Sequence, residues 1–189
     1  MLKTSEKYIA GFVSILVGAV IALAIRAFGI SELLNLDVGA PVLPEHRFGY
    51  SHRELVDFMG RLVIEVCDAH QQYISAYYDL QFYSLGISLL VAIGLVFLSL
   101  GVADSVEDSE SAKWLAFFPA SMFVFDALEN CFLIQFATYN VESIDRGLVA
   151  ISSVLTQLKF TSAFVSLAGV VLFFIVGRSR NSLPFEKRL

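Results

Sequence analysis

Two carboxylates and an amide inside an apolar run are the residues from which chemistry can be read first. Asp126, Glu129 and Asn130 lie in the segment Phe125-Asp-Ala-Leu-Glu-Asn-Cys131. Glu129 follows Asp126 at i, i+3 and Asn130 follows it at i, i+4, so a helix places all three on one face. Such groups are expensive in lipid, where insertion scales charge roughly 2.5–3.5 kcal/mol for an aspartate at the centre of a span. The trio must therefore face a bundle interior, a cavity or another chain. Two neighbouring carboxyls also repel, so one of them can hold a proton at neutral pH.

Three uses of the motif compete. It can be an internal ion-pair and hydrogen-bond cluster that fixes helix register, since buried charges are usually paired. It can be a proton, cation or substrate site, because ionisable residues within spans often mark pathways. It can also be a polar interface with another subunit. Arg26 and Lys159 are the cations available to such a cluster. At ~1.5 Å per helical residue, Asp126 lies ~18 Å and Glu129 ~22 Å beyond Trp114, while Arg26 and Lys159 lie ~27 Å from the same side. The intramembrane polar cluster expected from this arithmetic comprises Asp126, Glu129, Asn130, Arg26 and Lys159.

The elements that must hold these residues are helices long enough to cross a membrane. Residues 8–25, 80–103 and 160–177 carry no charge, and 114–139 is broken only by Asp126 and Glu129. Each stretch is close to the ~20 residues that cross a ~30 Å hydrocarbon core. The expected fold is all-α: a four-transmembrane-helix bundle with spans near 8–28, 80–103, 114–139 and 157–177. It forms one membrane domain over 1–189, with an extramembrane helical insertion near 29–79. Lys3 and Lys7 before the first apolar run, with Ala22-Leu23-Ala24 near its end, also fit a cleaved signal peptide. The run is long for that role, and the spanning reading is preferred.

Composition agrees with the membrane class. The chain has 189 residues, 57% hydrophobic and 16% charged, with a mean hydropathy of +0.70. Soluble domains are nearer half apolar and a quarter charged. The net charge of -5 and the lack of a basic stripe argue against nucleic acid as a partner. The expected partners are the lipid bilayer and either a second copy or another membrane protein. Lys3, Lys7, Lys113, Arg178, Arg180, Lys187 and Arg188 crowd one side of the four spans. By the positive-inside rule both termini are expected in the cytoplasm, with a bacterial inner membrane or another cell membrane as the location.

The first connection carries a second pattern. Ser51-His52-Arg53-Glu54 reads as a capping box. Apolar residues follow at helical spacing at Leu55, Met59, Leu62 and Val66, with Tyr73 and Tyr77 further on. This amphipathic helix either packs on its own chain or docks a partner through Leu55, Met59, Leu62, Val66 and Tyr73. Small residues at Ser14, Gly18 and Ala22, and at Gly86, Gly94 and Gly101, suit close helix packing.

Other chemistry finds little support. Cys67 and His70 make at most half of a tetrahedral metal set, and His46 and His52 add no standard spacing. Cys131 reads as a small core residue. No phosphate-binding loop, dinucleotide fingerprint or serine-nucleophile motif occurs, so no metal, cofactor or catalytic residue is assigned.

The D-x-x-E-N pattern at Asp126, Glu129 and Asn130, in the third of four apolar spans, resembles small uncharacterised bacterial four-helix membrane proteins. The resemblance covers the motif and the span layout, and it implies no activity. The leading expectation is a non-enzymatic assembly or interaction protein. The alternative is a small proton- or cation-coupled transporter using Asp126 and Glu129. An enzyme is the third reading.

Overall fold

The computed structural model describes residues 2–28, 47–64, 70–105, 113–138 and 141–181, with side chains except at 26–28, 62–64, 70–74, 142 and 177–181. Among these residues five α-helices follow in order: α1 Thr4–Phe28, α2 His52–Ile64, α3 His70–Ser105, α4 Phe117–Thr138 and α5 Arg146–Asn181. Short 3-10 turns, Trp114–Ala116 and Val141–Ser143, precede α4 and α5. No strand occurs among the described residues. Segments of α1, α3, α5 and of the Trp114–Thr138 stretch that contains α4 are long and apolar enough to cross a membrane. The chain is an all-α bundle of four such helices.

The helices alternate in direction. On α1 and α3, Lys7 meets Asp104, Gly11 meets Gly94, and Ser14 donates to the carbonyl of Leu90. Leu115, in the turn before α4, meets Gly169 on α5, while Ser121 and Glu129 of α4 meet Ser162 and Thr156 of α5. Helix α3 packs on both α4 and α5, while α1 packs chiefly on α3. The start of α1 and the ends of α3 and α5 therefore share one end of the bundle.

Close approach along α1 and α3 depends on missing side chains. A Cβ on Gly11 would lie 2.8 Å from the carbonyl oxygen of Gly94, and one on Gly94 would lie 2.8 Å from that of Gly11. This is the small-residue contact that lets membrane helices touch backbone to backbone. Gly18 lies on the same seam, and Gly101 packs on the Tyr8 ring. Gly86 is different: a Cβ there would meet nothing within 4 Å, so it does not belong to the contact that its spacing indicated.

Helix α2 is built as its first residues dictate. The Ser51 N–H and Oγ–H donate to Glu54 Oε2 at 2.7 and 2.8 Å, and the Glu54 N–H returns to Ser51 Oγ at 3.3 Å. This reciprocal box satisfies backbone donors that a helix start leaves free. Hydrogen bonds from the Ser51 backbone and then its hydroxyl, with the Arg47 guanidinium beside them, hold the Glu54 carboxyl below the ordinary glutamate range. The apolar face of α2 turns inward. Leu55, Phe58 and Met59 join Tyr50, Tyr77, Leu133, Phe136, Ala137, Ile144 and Val149 in one buried cluster.

That cluster corrects the docking expectation. Leu55 and Met59 are 0% exposed, because α2 folds onto α3, α4, α5 and the turn before α5. Their stripe is a core face of this chain and is not offered to a partner. Val66 and the side chains of Leu62 and Tyr73 lie outside the described residues. Helix α3 is continuous from His70, so the end of the insertion and the second apolar run form one helix. Helix α5 begins at Arg146, so it extends beyond the span expected near 157–177. Leu148 and Val149 bury its first turns against α2 and α4, so helix continues upward from the apolar span into this cap.

Candidate functional site

Helix α4 presents Asp126, Glu129 and Asn130 inward, each buried. Pro119 falls in the first turn of this helix, where an absent backbone donor costs least. Helix α5 brings Lys159 to the same level from the opposite direction. Lys159 Nζ lies 2.9 Å from Asp126 Oδ1 and 2.6 Å from Glu129 Oε2. The three side chains are 12%, 4% and 0% exposed, in the order Lys159, Asp126, Glu129. One ammonium thus bridges two carboxylates on successive turns of the facing helix.

Glu129 has a further partner that sequence reasoning missed. The Thr156 hydroxyl donates to Glu129 Oε1 and also lies 3.1 Å from the Ser152 carbonyl oxygen on its own helix. Ser152, Thr156 and Lys159 recur at i, i+4 and i+7, a polar stripe in an otherwise apolar helix. That spacing was a usable signal. Ser162 and Ser166 extend the stripe and are also buried.

A strap closes the site on the α2 side. The Tyr50 N–H donates to Ser153 Oγ at 2.9 Å, and the Tyr50 hydroxyl lies 2.6 Å from Ser152 Oγ. Gly49 permits this path with φ +90°, and a Cβ there would lie 2.6 Å from Gln157 Nε2. The Phe48 and Phe160 rings meet at a tilt of 39°, with centroids 6.3 Å apart. Lys159 Nζ lies 5.2 Å from the Phe160 ring centroid, so an aromatic face borders the cluster as well.

Three polar positions beside the ion pairs are buried with no hydrogen-bond partner among the described residues. They are Asp126 Oδ2 and both amide atoms of Asn130. Ser166 Oγ, further along α5, is another such atom. Buried polar atoms ordinarily find a partner in protein or in bound water.

Of the five residues expected to cluster, the structure joins Asp126, Glu129 and Lys159 directly and places Asn130 on the same face of α4. Arg26 belongs to the last turn of α1, and its side chain lies outside the described residues. Cys131 is exposed, which corrects its reading as a core residue. It follows Asn130 on α4, and one step around the helix turns it outward. His52 lies within hydrogen-bond reach of the Ile144 carbonyl oxygen, with Nε2 at 3.0 Å, while His46 and Cys67 lie outside the described residues. A second cation pairing, Lys7 Nζ with Asp104 Oδ2 at 2.6 Å, ties the far ends of α1 and α3. No protein-family model, curated protein or solved structure matches this chain.

Proposed function

We propose that the chain is a non-enzymatic, multi-pass integral membrane protein acting in assembly or interaction, with an intramembrane lysine–dicarboxylate clamp between α4 and α5. The observation that carries this reading is the closure of the cluster: Lys159 holds Asp126 Oδ1 at 2.9 Å and Glu129 Oε2 at 2.6 Å. Thr156 engages the remaining Glu129 oxygen. Charged groups bonded to one another inside a bundle are suited to fixing its register, because sliding or rotating either helix would strand a charge in low dielectric.

The bilayer is the first partner of such a protein. A second copy or another membrane protein would meet α1, which packs chiefly on α3 and leaves Phe12, Leu16 and Leu23 exposed. The compartment we assign is a bacterial inner membrane or another cell membrane, with both termini cytoplasmic. Lys3, Lys7 and Lys113, with Arg178 and Arg180 in the last turns of α5, support that orientation. Reporter fusions at each terminus test it, and a signal from the outer side at either one overturns it.

A second reading, a small proton- or cation-coupled transporter, is favoured by the unpartnered Asp126 Oδ2 and Asn130 amide. Reconstitution into liposomes separates the two. The clamp reading expects no proton or cation flux above protein-free vesicles and a large stability loss on breaking the cluster. Flux that disappears in Asp126→Asn, with near-normal stability, would establish transport instead.

A further inference from the structure

We infer that the cluster binds one alkali-metal cation of the Na+ class between Asp126 Oδ2 and Asn130 Oδ1. Charge is the first ground. Two carboxylates share a single ammonium among the described residues, so with both ionised these three side chains carry one net negative charge. An uncompensated buried ion costs several kcal/mol even after relaxation, roughly the penalty per ion for real proteins. A monovalent cation brings the group to neutrality, whereas a divalent ion would overshoot it.

Position is the second ground. Lys159 occupies Asp126 Oδ1 and Glu129 Oε2, and Thr156 occupies Glu129 Oε1. Asp126 Oδ2 is the carboxylate oxygen left over, buried and without a partner. Asn130 stands one turn further on the same face, 3% exposed, with both of its amide atoms equally unpartnered. Side chains at i and i+4 start about 5–6 Å apart at Cβ, a span that one ion between two oxygens can bridge. The amide can turn its oxygen toward Asp126, since oxygen and nitrogen exchange places by a flip.

Ligand chemistry is the third ground. The free atoms are carboxylate and amide oxygens, which suit hard cations. Among the described residues no group of three or more His, Cys, Asp or Glu side chains forms a metal site, so this position rests on one carboxylate and one amide. The inference goes beyond the clamp and does not require transport. It concerns occupancy of a second position beside Lys159, and Arg26 is this chain's own rival for the missing charge.

The test uses the full chain in detergent, melted in NaCl or in N-methyl-D-glucamine chloride at equal ionic strength and fixed pH. The expected result is a saturable rise in Tm with Na+ alone. At a hundredfold excess over Kd the folding equilibrium should rise about 100-fold. Asn130→Leu and Asp126→Asn should abolish the Na+ response, and radioactive 22Na+ should bind wild type at one ion per chain. Binding to wild type keeps the inference testable if a variant does not fold. A Tm identical in the two salts, with no 22Na+ retained, overturns it. So does a response to pH alone, which would make the guest a proton. Na+ indifference with collapse of Arg26→Gln would assign the balancing charge to arginine and overturn it as well. The clamp fails separately, if Lys159→Met leaves Tm unchanged.

Discussion

Lys159 and Glu129 sit 2.6 Å apart, Nζ to Oε2, on helices that run in opposite directions. The glutamate is 0% exposed, so its charge depends on this lysine and on Thr156 rather than on water. A buried pair of this kind is strongly sensitive to loss of one partner and weakly sensitive to loss of all its charges.

Lys159→Met should therefore destabilise the folded chain by about 3–5 kcal/mol, the usual cost of orphaning a buried ion. The triple variant Asp126→Asn, Glu129→Gln, Lys159→Met should recover most of that loss. Thermal melting in detergent compares the two. An equally large loss in the triple variant would show that packing of the lysine stem, and not charge, holds α4 to α5.

The contact between Gly11 and Gly94 makes a second prediction. Either glycine replaced by alanine puts a methyl 2.8 Å from the opposing carbonyl oxygen. No flexible side chain can yield at that oxygen, so the helices must separate, at about 1–3 kcal/mol for an overpacked site. Gly86→Ala meets open space and should be neutral or slightly stabilising, since glycine is the weaker helix former. Melting the three variants side by side checks this, and an equal loss at Gly86 would contradict the assigned seam.

These two sites show what the residues disclosed and what they withheld. Apolar run length announced the four spans, because crossing a bilayer sets a minimum length. Spacing put Asp126, Glu129 and Asn130 on one face. Depth along the helix also put Lys159 near the level of those carboxyls, and the structure joins them. Spacing also could not separate Gly94 from Gly86, since that depends on the register of α1 along α3. The stripe at Leu55 and Met59 signalled burial correctly in kind, but periodicity does not say whether the covering surface belongs to the same chain.

The strap over Ser152 and Ser153 supplies a third prediction. Gly49 holds φ +90°, a conformation that costs a side-chain-bearing residue about 1–3 kcal/mol. Gly49→Ala should lower Tm accordingly. Tyr50→Phe removes only the hydroxyl paired with Ser152 at 2.6 Å and should cost about 1 kcal/mol. If the strap also shields the charged cluster, Gly49→Ala should speed amide hydrogen exchange in the α5 segment containing Thr156 and Lys159. Exchange that rises only at residues 47–51 would confine its role to α2.

Acid stability offers the last prediction, through Glu54. Ser51 hydrogen bonds favour its ionised form in the folded chain, so its folded pKa lies below the reference value of 4.5. For a carboxyl shifted downward, the unfolded state binds the proton more readily. The resulting stabilisation is present above 4.5 and is lost as pH falls through the lowered folded value. Glu54→Gln should flatten this part of the Tm-against-pH curve, while leaving the slope at higher pH unchanged. Ser51→Ala should flatten the same region and also lower Tm at neutral pH by about 1 kcal/mol in stability, the typical cost of a lost N-cap. If neither substitution alters the acid limb, protonation elsewhere controls acid unfolding, and the cap contributes only its neutral-pH hydrogen bonds.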